Sequence, residues 1–333
     1  MKQSRSLLPL HQLILLAFCL SFTPAGLPAP DSAAPLTNLR RLTEQPIVSP
    51  EGEAWESAGT FNPTVVFHNG RYVMLYRAQD KHGTSRLGYA ESADGTHFTR
   101  RAQPVLSPET DYEKDGGVED PRLVKFGDTY YLTYTGYNKK DAQLGLATSR
   151  DLLHWDRKGV ILPANKGNWN VKWTKSGAIV PEKINGKYWM YFLGTAADNT
   201  DQMGLANSGD LIHWTDAAQK PVLPRRPSQF DSRVVEPGPA PILTAEGIVL
   251  VYNGADDQLV YRTGVAVFDR NQPSRAIWRS ATPIFAPAEA WEKVGQVPDV
   301  VFVEGMVQLG RRLLFYYGGA DKYVGVAEAR LIR

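Results

Sequence analysis

Cysteine is nearly absent: Cys19 is the only one in 333 residues. It falls within an apolar N-terminal run, so a chain that loses the run has no disulfide, thiolate metal site or cysteine nucleophile. An excess of one charge is missing too. With 37 basic and 35 acidic residues the formal net charge is +2, which leaves no electrostatic footprint for nucleic acid. No apolar run approaches the ~20 residues needed to span a bilayer. No long stretch carries helical periodicity, which argues against an α/β barrel. Histidine is scarce, and its six copies form no set with metal-ligand spacing. No glycine-rich phosphate loop precedes a helix. Neither a metal nor a cofactor is expected.

What the chain does have is turn and strand chemistry. Its 29 Gly and 23 Pro imply many turns, and 8 Trp, 15 Tyr and 12 Phe suit short strands. The N-terminus reads as a secretory signal peptide over residues 1–25. Lys2 and Arg5 precede the apolar run Leu13–Leu20, and Thr23-Pro24-Ala25-Gly26 supplies small residues for cleavage. Phe18 directly before Cys19 is too bulky for the usual lipoprotein processing signal. The expectation is a secreted or periplasmic protein with no membrane attachment after processing. Residues 26–45, rich in Pro, Ala and Ser, read as a flexible leader, and 46–333 as the folded domain.

Self-similarity sets the fold expectation. A Gly-x-Ala step recurs at Gly88, Gly145, Gly204, Gly264 and Gly325, at spacings of 57, 59, 60 and 61 residues. Ser-x-Asp-x-x-His-aromatic follows the first three, with His97, His154 and His213 in one repeat position, which suggests hydrogen bonding within each repeat. A strand ending in an aromatic precedes each step, at Tyr76, Tyr134, Phe192, Tyr252 and Tyr316. Asn69-Gly70, Gly127-Asp128 and Asn185-Gly186 supply turns. Four short antiparallel strands repeated five times predict an all-β, five-bladed β-propeller.

Function should lie where the repeats differ around the central axis. Gly117-Val118-Glu119-Asp120-Pro121-Arg122 opens the second repeat with two carboxylates and a guanidinium. Equivalent points carry Asn62-Pro63, Pro181-Glu182, Glu236-Pro237 and Pro298-Asp299. Two carboxylates across a cleft can hydrolyse a glycosidic bond, one protonating the leaving oxygen and the other activating water. The same acids could instead cap strands or pair with Arg77, Arg122 and Lys175.

Six segments carry a resemblance: Phe61-Asn62-Pro63, Tyr76-Arg77-Ala78, Gly117 to Arg122, Pro181 to Tyr188, Pro237 to Ile242, and Tyr316 to Asp321. Together they resemble glycoside hydrolase family 130, over about residues 50–332. The resemblance implies a five-bladed propeller acting on β-mannosides, by phosphorolysis in most members and hydrolysis in some. It implies Asp120 as the general acid, acting through a hydroxyl of the bound mannose. It also implies Asn62, Arg77 and Asp321 as ligands of that mannose. Arg122, Lys175 and Asn253 are further substrate-binding candidates.

The sequence departs from the phosphorylase pattern where phosphate would bind. A Lys, a Gly two positions later and a distant His are replaced by Val234, Glu236 and Asn253. Arg233 is offset by one residue, which in a strand faces the other way. A carboxylate beside a dianion is repulsive. The expectation is therefore an inverting hydrolase of β-mannosides, most specifically β-1,2-linked manno-oligosaccharides, with Glu236 as first candidate base and Glu182 as second. Phosphorolysis releasing mannose 1-phosphate is the alternative, and a non-catalytic glycan-binding propeller the second alternative.

Overall fold

A computed structural model describes residues 34–332. The signal peptide expected over residues 1–25, including Cys19, lies outside them. The described residues are all-β, with one short helix, Ala290–Lys293. Among the described residues no helix is long and apolar enough to cross a membrane.

The strands form five antiparallel units. Unit one comprises Gly59–His68, Arg71–Gln79, Ser85–Ser92 and Thr99–Arg100. Unit two comprises Gly117–Phe126, Thr129–Tyr137, Ala142–Ser149 and Asp156–Leu162. Unit three comprises Thr174–Ile179, Tyr188–Thr195, Asp201–Ser208 and Trp214–Asp216. Unit four comprises Val234–Pro237, Ile248–Ala255, Tyr261–Phe268 and Ala276–Arg279. Unit five takes Val301–Leu309, Arg312–Gly319 and Tyr323–Arg330 from the C-terminal end and Arg40–Arg41 from the N-terminal end.

That last strand corrects the expected leader. Arg40 and Arg41 pair with Glu328 and Ala327, and Leu36 bridges Leu331. Arg41 also clamps the buried Glu292, donating from Nε at 2.7 Å and from Nη2 at 2.6 Å. The sheet-bearing body therefore begins well before residue 46. The Pro- and Ala-rich composition concealed a segment held mostly through its backbone and two arginines.

The units are joined in sequence by hydrogen bonds between the third strand of one and the entry of the next. Ser85 N donates to Gly116 O at 2.8 Å, Asp201 N to Arg233 O at 3.1 Å, and Tyr261 N to Asp299 O at 3.0 Å. Leu144 N donates to Thr174 Oγ1 at 3.3 Å. Thr60 N donates to Lys322 O at 3.0 Å, which links unit five back to unit one. Apolar side chains fill the spaces between neighbouring units rather than one central core.

The Gly-x-Ala repeat has a steric cause. Each glycine sits opposite the aromatic of the neighbouring strand: Tyr76↔Gly88, Tyr134↔Gly145, Phe192↔Gly204, Tyr252↔Gly264 and Tyr317↔Gly325. A Cβ on these glycines would lie 2.2–2.8 Å from the facing ring. In unit five the register selects Tyr317, one residue beyond the Tyr316 expected from the sequence. In four units the ring hydroxyl then donates to a carboxylate: Tyr76 to Glu56, Tyr134 to Glu113, Tyr252 to Asp231 and Tyr317 to Glu292, each at 2.7–2.8 Å. An arginine of the fourth strand completes each set: Arg100, Arg157, Arg279 and Arg41. A buried carboxylate is tolerated only with such complete pairing.

The three repeated histidines do stay within their units. In each, Asp Oδ1 accepts from the His backbone N–H, and Asp Oδ2 contacts the His Nδ1, as at Asp151–His154 (2.7 Å). These hydrogen bonds hold Asp94, Asp151 and Asp210 far below the ordinary carboxylate range.

Gly88→Ala drives a methyl into the Tyr76 ring and should destabilise the protein by about 1–3 kcal/mol, the usual cost of overpacking. Gly209→Ala, where nothing lies within 4 Å, is the matched control and should leave stability within about 0.5 kcal/mol. Denaturant midpoints of the two variants check this, and equal midpoints would remove the steric account of the repeat.

Candidate active site

The first strands of units one, two, three and five each carry a bulge near their N-terminal end. The interruptions lie between Phe61 and Pro63, Glu119 and Arg122, Lys175 and Ala178, and Val303 and Gly305. At three of them the inserted residue has left-handed backbone: Asn62 at φ 46°, Asp120 at φ 51° and Ser176 at φ 58°. Asn and Asp tolerate this region best. Pro63, Pro121 and Gly177 follow the inserted residues, and regular pairing resumes at Pro63, Arg122 and Ala178. Bulges re-aim a side chain off the alternating pattern of the strand, and these turn Asn62 and Asp120 into a cavity of about 200 Å3.

The cavity is lined by Asn62, Arg77, Asp120, Lys175, Glu236 and Asp321, with Tyr261, Phe302, Leu259, Val297 and Val300 as its apolar wall. Asp120 Oδ1 accepts from Asn62 Nδ2 at 2.8 Å and from Arg77 Nη1 at 3.1 Å. Arg77 Nη2 donates to Glu119 Oε1 at 2.6 Å, and Arg77 Nε to Ser85 Oγ at 3.0 Å. Glu236 accepts from the Ser176 hydroxyl. Among the described residues the Lys175 ammonium and the Asp321 carboxylate make no hydrogen bond or ion pair, which leaves both free for a ligand.

Burial opposes ionisation of every acid here, and the neighbouring cations decide which one resists. Asp120 is desolvated, yet Arg77, Lys175, Asn62 and Arg122 together hold it below the ordinary range. Glu236 is pushed up by burial, with Lys175 and Arg122 opposing. Asp321 is pushed up to about 6 by burial and by the charge of Asp120, against Arg77 and Lys175. Lys175 is held protonated: burial works against its charge, but Glu236, Asp201, Asp120 and Glu119 outweigh it. In the free protein Asp120 is thus the ionised acid, and Asp321 and Glu236 retain protons to higher pH.

Nine expected residues require individual placement. Asp120, Glu236, Asp321, Asn62, Arg77 and Lys175 converge on the cavity. Glu182 does not. It lies on the turn after the first strand of unit three, 55% exposed, and pairs with Arg270 at 3.1 Å. Pro181-Glu182 therefore has no part in the acid cluster, and Glu182 is corrected from candidate base to surface ion pair. Asn253 is also corrected. Its amide both donates to Val303 O and accepts from Val303 N, each at 2.9 Å, tying unit four to unit five beneath the site. Arg122 is buried below the cavity, donating to Gly238 O (2.9 Å) and Pro237 O (2.8 Å), so it braces the floor rather than meeting substrate. Arg233 is exposed, as the one-residue offset requires. The sequence reading missed Ser176, Tyr261 and Phe302. The Ser176-Gly177 pair following Lys175 was the available signal, since it parallels Asn62-Pro63 and Asp120-Pro121. Among the described residues no group of three or more His, Cys, Asp or Glu side chains is placed to hold a metal.

The raised Asp321 has a consequence for stability. Its folded pKa of about 6 exceeds the ordinary 3.8, so its ionised form is disfavoured in the native state. The cost is absent below about pH 4, grows as pH rises through about 6, and stays constant above. Asp321→Asn should therefore raise the unfolding midpoint at pH 7 and lose that advantage near pH 4. Thermal melts across this range check the sign. A variant less stable than the parent at pH 7 would show that Asp321 is compensated by contacts.

Comparison with known proteins gives the cavity a family. A 1,2-beta-oligomannan phosphorylase of Thermoanaerobacter sp. (strain X514) is 40% identical over 303 residues, 88% of this chain and 97% of that protein. A solved structure described with glycoside hydrolases, within a family of mannoside phosphorylases, that target beta-1,2 mannosidic linkages in Candida mannan is 37% identical, with a TM-score of 0.81 over 90% of this chain and 95% of the other. The beta-1,2-mannobiose phosphorylase of Listeria innocua, solved with beta-1,2-mannobiose, is 27% identical, with a TM-score of 0.79 over 89% and 97%. The curated relatives that match most of the chain are named as phosphorylases, which favours phosphate over the water expected from the sequence. The family model described as beta-1,4-mannooligosaccharide phosphorylase matches residues 32–332, and the chain belongs to that family, glycoside hydrolase family 130.

Proposed function

We propose that this protein cleaves β-1,2-linked manno-oligosaccharides at the Asp120 cavity, with the five units closed as a five-bladed propeller around it. The closure is supported by the hydrogen bond from Thr60 to Lys322, which joins the last unit to the first. The linkage is supported by the β-1,2 relatives. Asn62, Arg77 and Asp321 would hold the terminal mannose. Asp120 serves as the acid, through a sugar hydroxyl, as the family resemblance implies. Because Arg77 and Lys175 keep it ionised in the free protein, its proton has to be taken up once substrate is bound.

The geometry favours water as acceptor, and the observation that carries this is Glu236 in the cavity wall. Three carboxylates there face two cations, Arg77 and Lys175. Like charges about 4 Å apart repel by on the order of 4 kcal/mol at an effective dielectric of 20, so a phosphate dianion beside Glu236 is disfavoured. A burial-raised carboxylate is well matched to taking a proton from water. Phosphorolysis is the second reading, favoured by the names of the curated relatives that match most of the chain and by the Lys175 ammonium, which makes no direct hydrogen bond and is a cation suited to phosphate. The N-terminal pattern supports action outside the cytoplasm.

Asp120→Asn should lower turnover by roughly 10²–10⁴-fold with the melting temperature kept, the scale of lost acid catalysis. Near-normal turnover would remove Asp120 from the mechanism.

Glu236→Gln separates the two acceptors. If Glu236 activates water, this variant loses nearly all hydrolysis, retains substrate binding, and the parent is indifferent to millimolar phosphate. Products are identified by NMR at early time. Free α-mannose reports inversion by water. α-Mannose 1-phosphate formed as fast as free mannose or faster would establish phosphorolysis, and β-mannose would exclude a single displacement.

A further inference from the structure

The cavity of about 200 Å3 lies below the usual range of ligand sites, which begins at about 300 Å3. It is too small for an oligosaccharide. A second concavity of about 450 Å3 opens at the same end of unit one. Its wall includes Trp55, Asp80, His82, Arg86 and Gln103. Trp55 precedes the strand that carries Asn62. Asp80 and His82 follow the strand that carries Arg77. Arg86 follows Ser85, which accepts a hydrogen bond from Arg77. From Arg77, in the wall of the reaction cavity, to Asp80, in the wall of the second concavity, the chain advances by three residues, ~10 Å of strand.

The groove is rigid. The Trp55 indole stacks on Tyr76 with centroids 6.3 Å apart and planes at 27°, and its Nε1 donates to Ala102 O at 3.2 Å. Asp80 Oδ1 accepts from the His82 and Thr84 backbone at 2.9 and 3.0 Å, and Asp80 Oδ2 from Arg86 Nη1 at 2.8 Å. A fixed aromatic plane beside fixed polar groups suits a pyranose, which presents a C–H face and a rim of hydroxyls.

Direction follows from inversion. The acceptor must approach the anomeric carbon opposite the departing oxygen. Glu236 belongs to unit four and Lys175 to unit three, and in a ring of five units the junction of three and four faces unit one. We propose that the Trp55 groove binds the leaving-group end of a β-1,2-mannan chain longer than a disaccharide, making the enzyme selective for chain length. The proposal rests on the mannoside-cleaving reading above.

The test compares β-1,2-mannobiose with β-1,2-mannotetraose as substrates. For Trp55→Ala, kcat/KM on the tetraose should fall about tenfold, ~1.4 kcal/mol, while kcat/KM on the biose stays within about twofold. Gln103→Ala, at the rim and free of the Tyr76 stack, should show a smaller loss confined to the tetraose, with unchanged melting temperature. Equal losses on both substrates, or none on either, overturn the proposal. Direct titration of Asp120→Asn with each saccharide keeps the groove testable apart from catalysis. The tetraose should bind more tightly than the biose, and adding Trp55→Ala should abolish the difference. If the parent protein cleaves neither saccharide with water or with phosphate, the functional reading falls while the titration still decides the groove. Cleavage with equal affinities for the two saccharides refutes the groove alone.

Discussion

The guanidinium of Arg77, shared between Glu119 and Asp120, is the interaction on which the site depends. Two adjacent carboxylates buried on one bulge would repel each other and forfeit their hydration. Arg77 spans both at 2.6 and 3.1 Å, and Ser85 and Asn62 occupy further lone pairs. Burial tends to discharge the guanidinium, but Glu119, Asp120 and Asp321 hold it charged. Glu119 pays for this arrangement: burial and Asp120 raise it despite Arg77. One acid is sacrificed to brace the cation that keeps the other ionised and aimed at the cavity.

The repeat was legible because its cause is local. A glycine facing a ring across two strands leaves a short, regular pattern, and the Ser-x-Asp-x-x-His turn satisfies itself within six residues. The cavity residues were legible where a bulge coincides with Pro, as at Asn62-Pro63 and Asp120-Pro121. What stayed hidden depends on register or on distant chain. Tyr317 rather than Tyr316 faces Gly325 because the short turn between Gly319 and Tyr323 sets the register of the last two strands. Glu182 follows Pro181 and so resembled the other Pro-flanked acids, yet Pro181 marks the far end of the strand, not its entry. Asn253 occupied an expected ligand position, but its amide is consumed by the Val303 backbone of the next unit. The leader was misread because strand pairing of Arg40–Arg41 with the last strand is invisible to composition.

Unit three shows how far the outer scaffold can vary. Phe192 replaces the tyrosine, so no hydroxyl needs a carboxylate, and Trp169 stacks on the ring at 6.4 Å. Asn170 sits where the other units place an acid, and Asp216 lies in the fourth strand, where they place arginine. Burial raises Asp216, and its Oδ2 has no partner among the described residues. The unit keeps the glycine–ring contact while losing the ionic set, so the steric match at Gly204 is the indispensable part of the repeat and the tyrosine–acid–arginine set its reinforcement.

The choice between water and phosphate is a question of charge balance in a small space. Lys175 answers to four acids at once: Glu236, Asp201, Asp120 and Glu119. An added dianion would have to outbid all four for a single ammonium, since Arg77 is already committed to Glu119 and Asp120 and Arg122 to backbone carbonyls. Neutral water meets no such competition, and the Ser176 hydroxyl holds Glu236 in the cavity wall. The phosphorylase relatives and this chain belong to one family, and overall similarity does not decide the acceptor. The decision rests on the few side chains, Lys175 and Glu236 first among them, that meet whatever attacks.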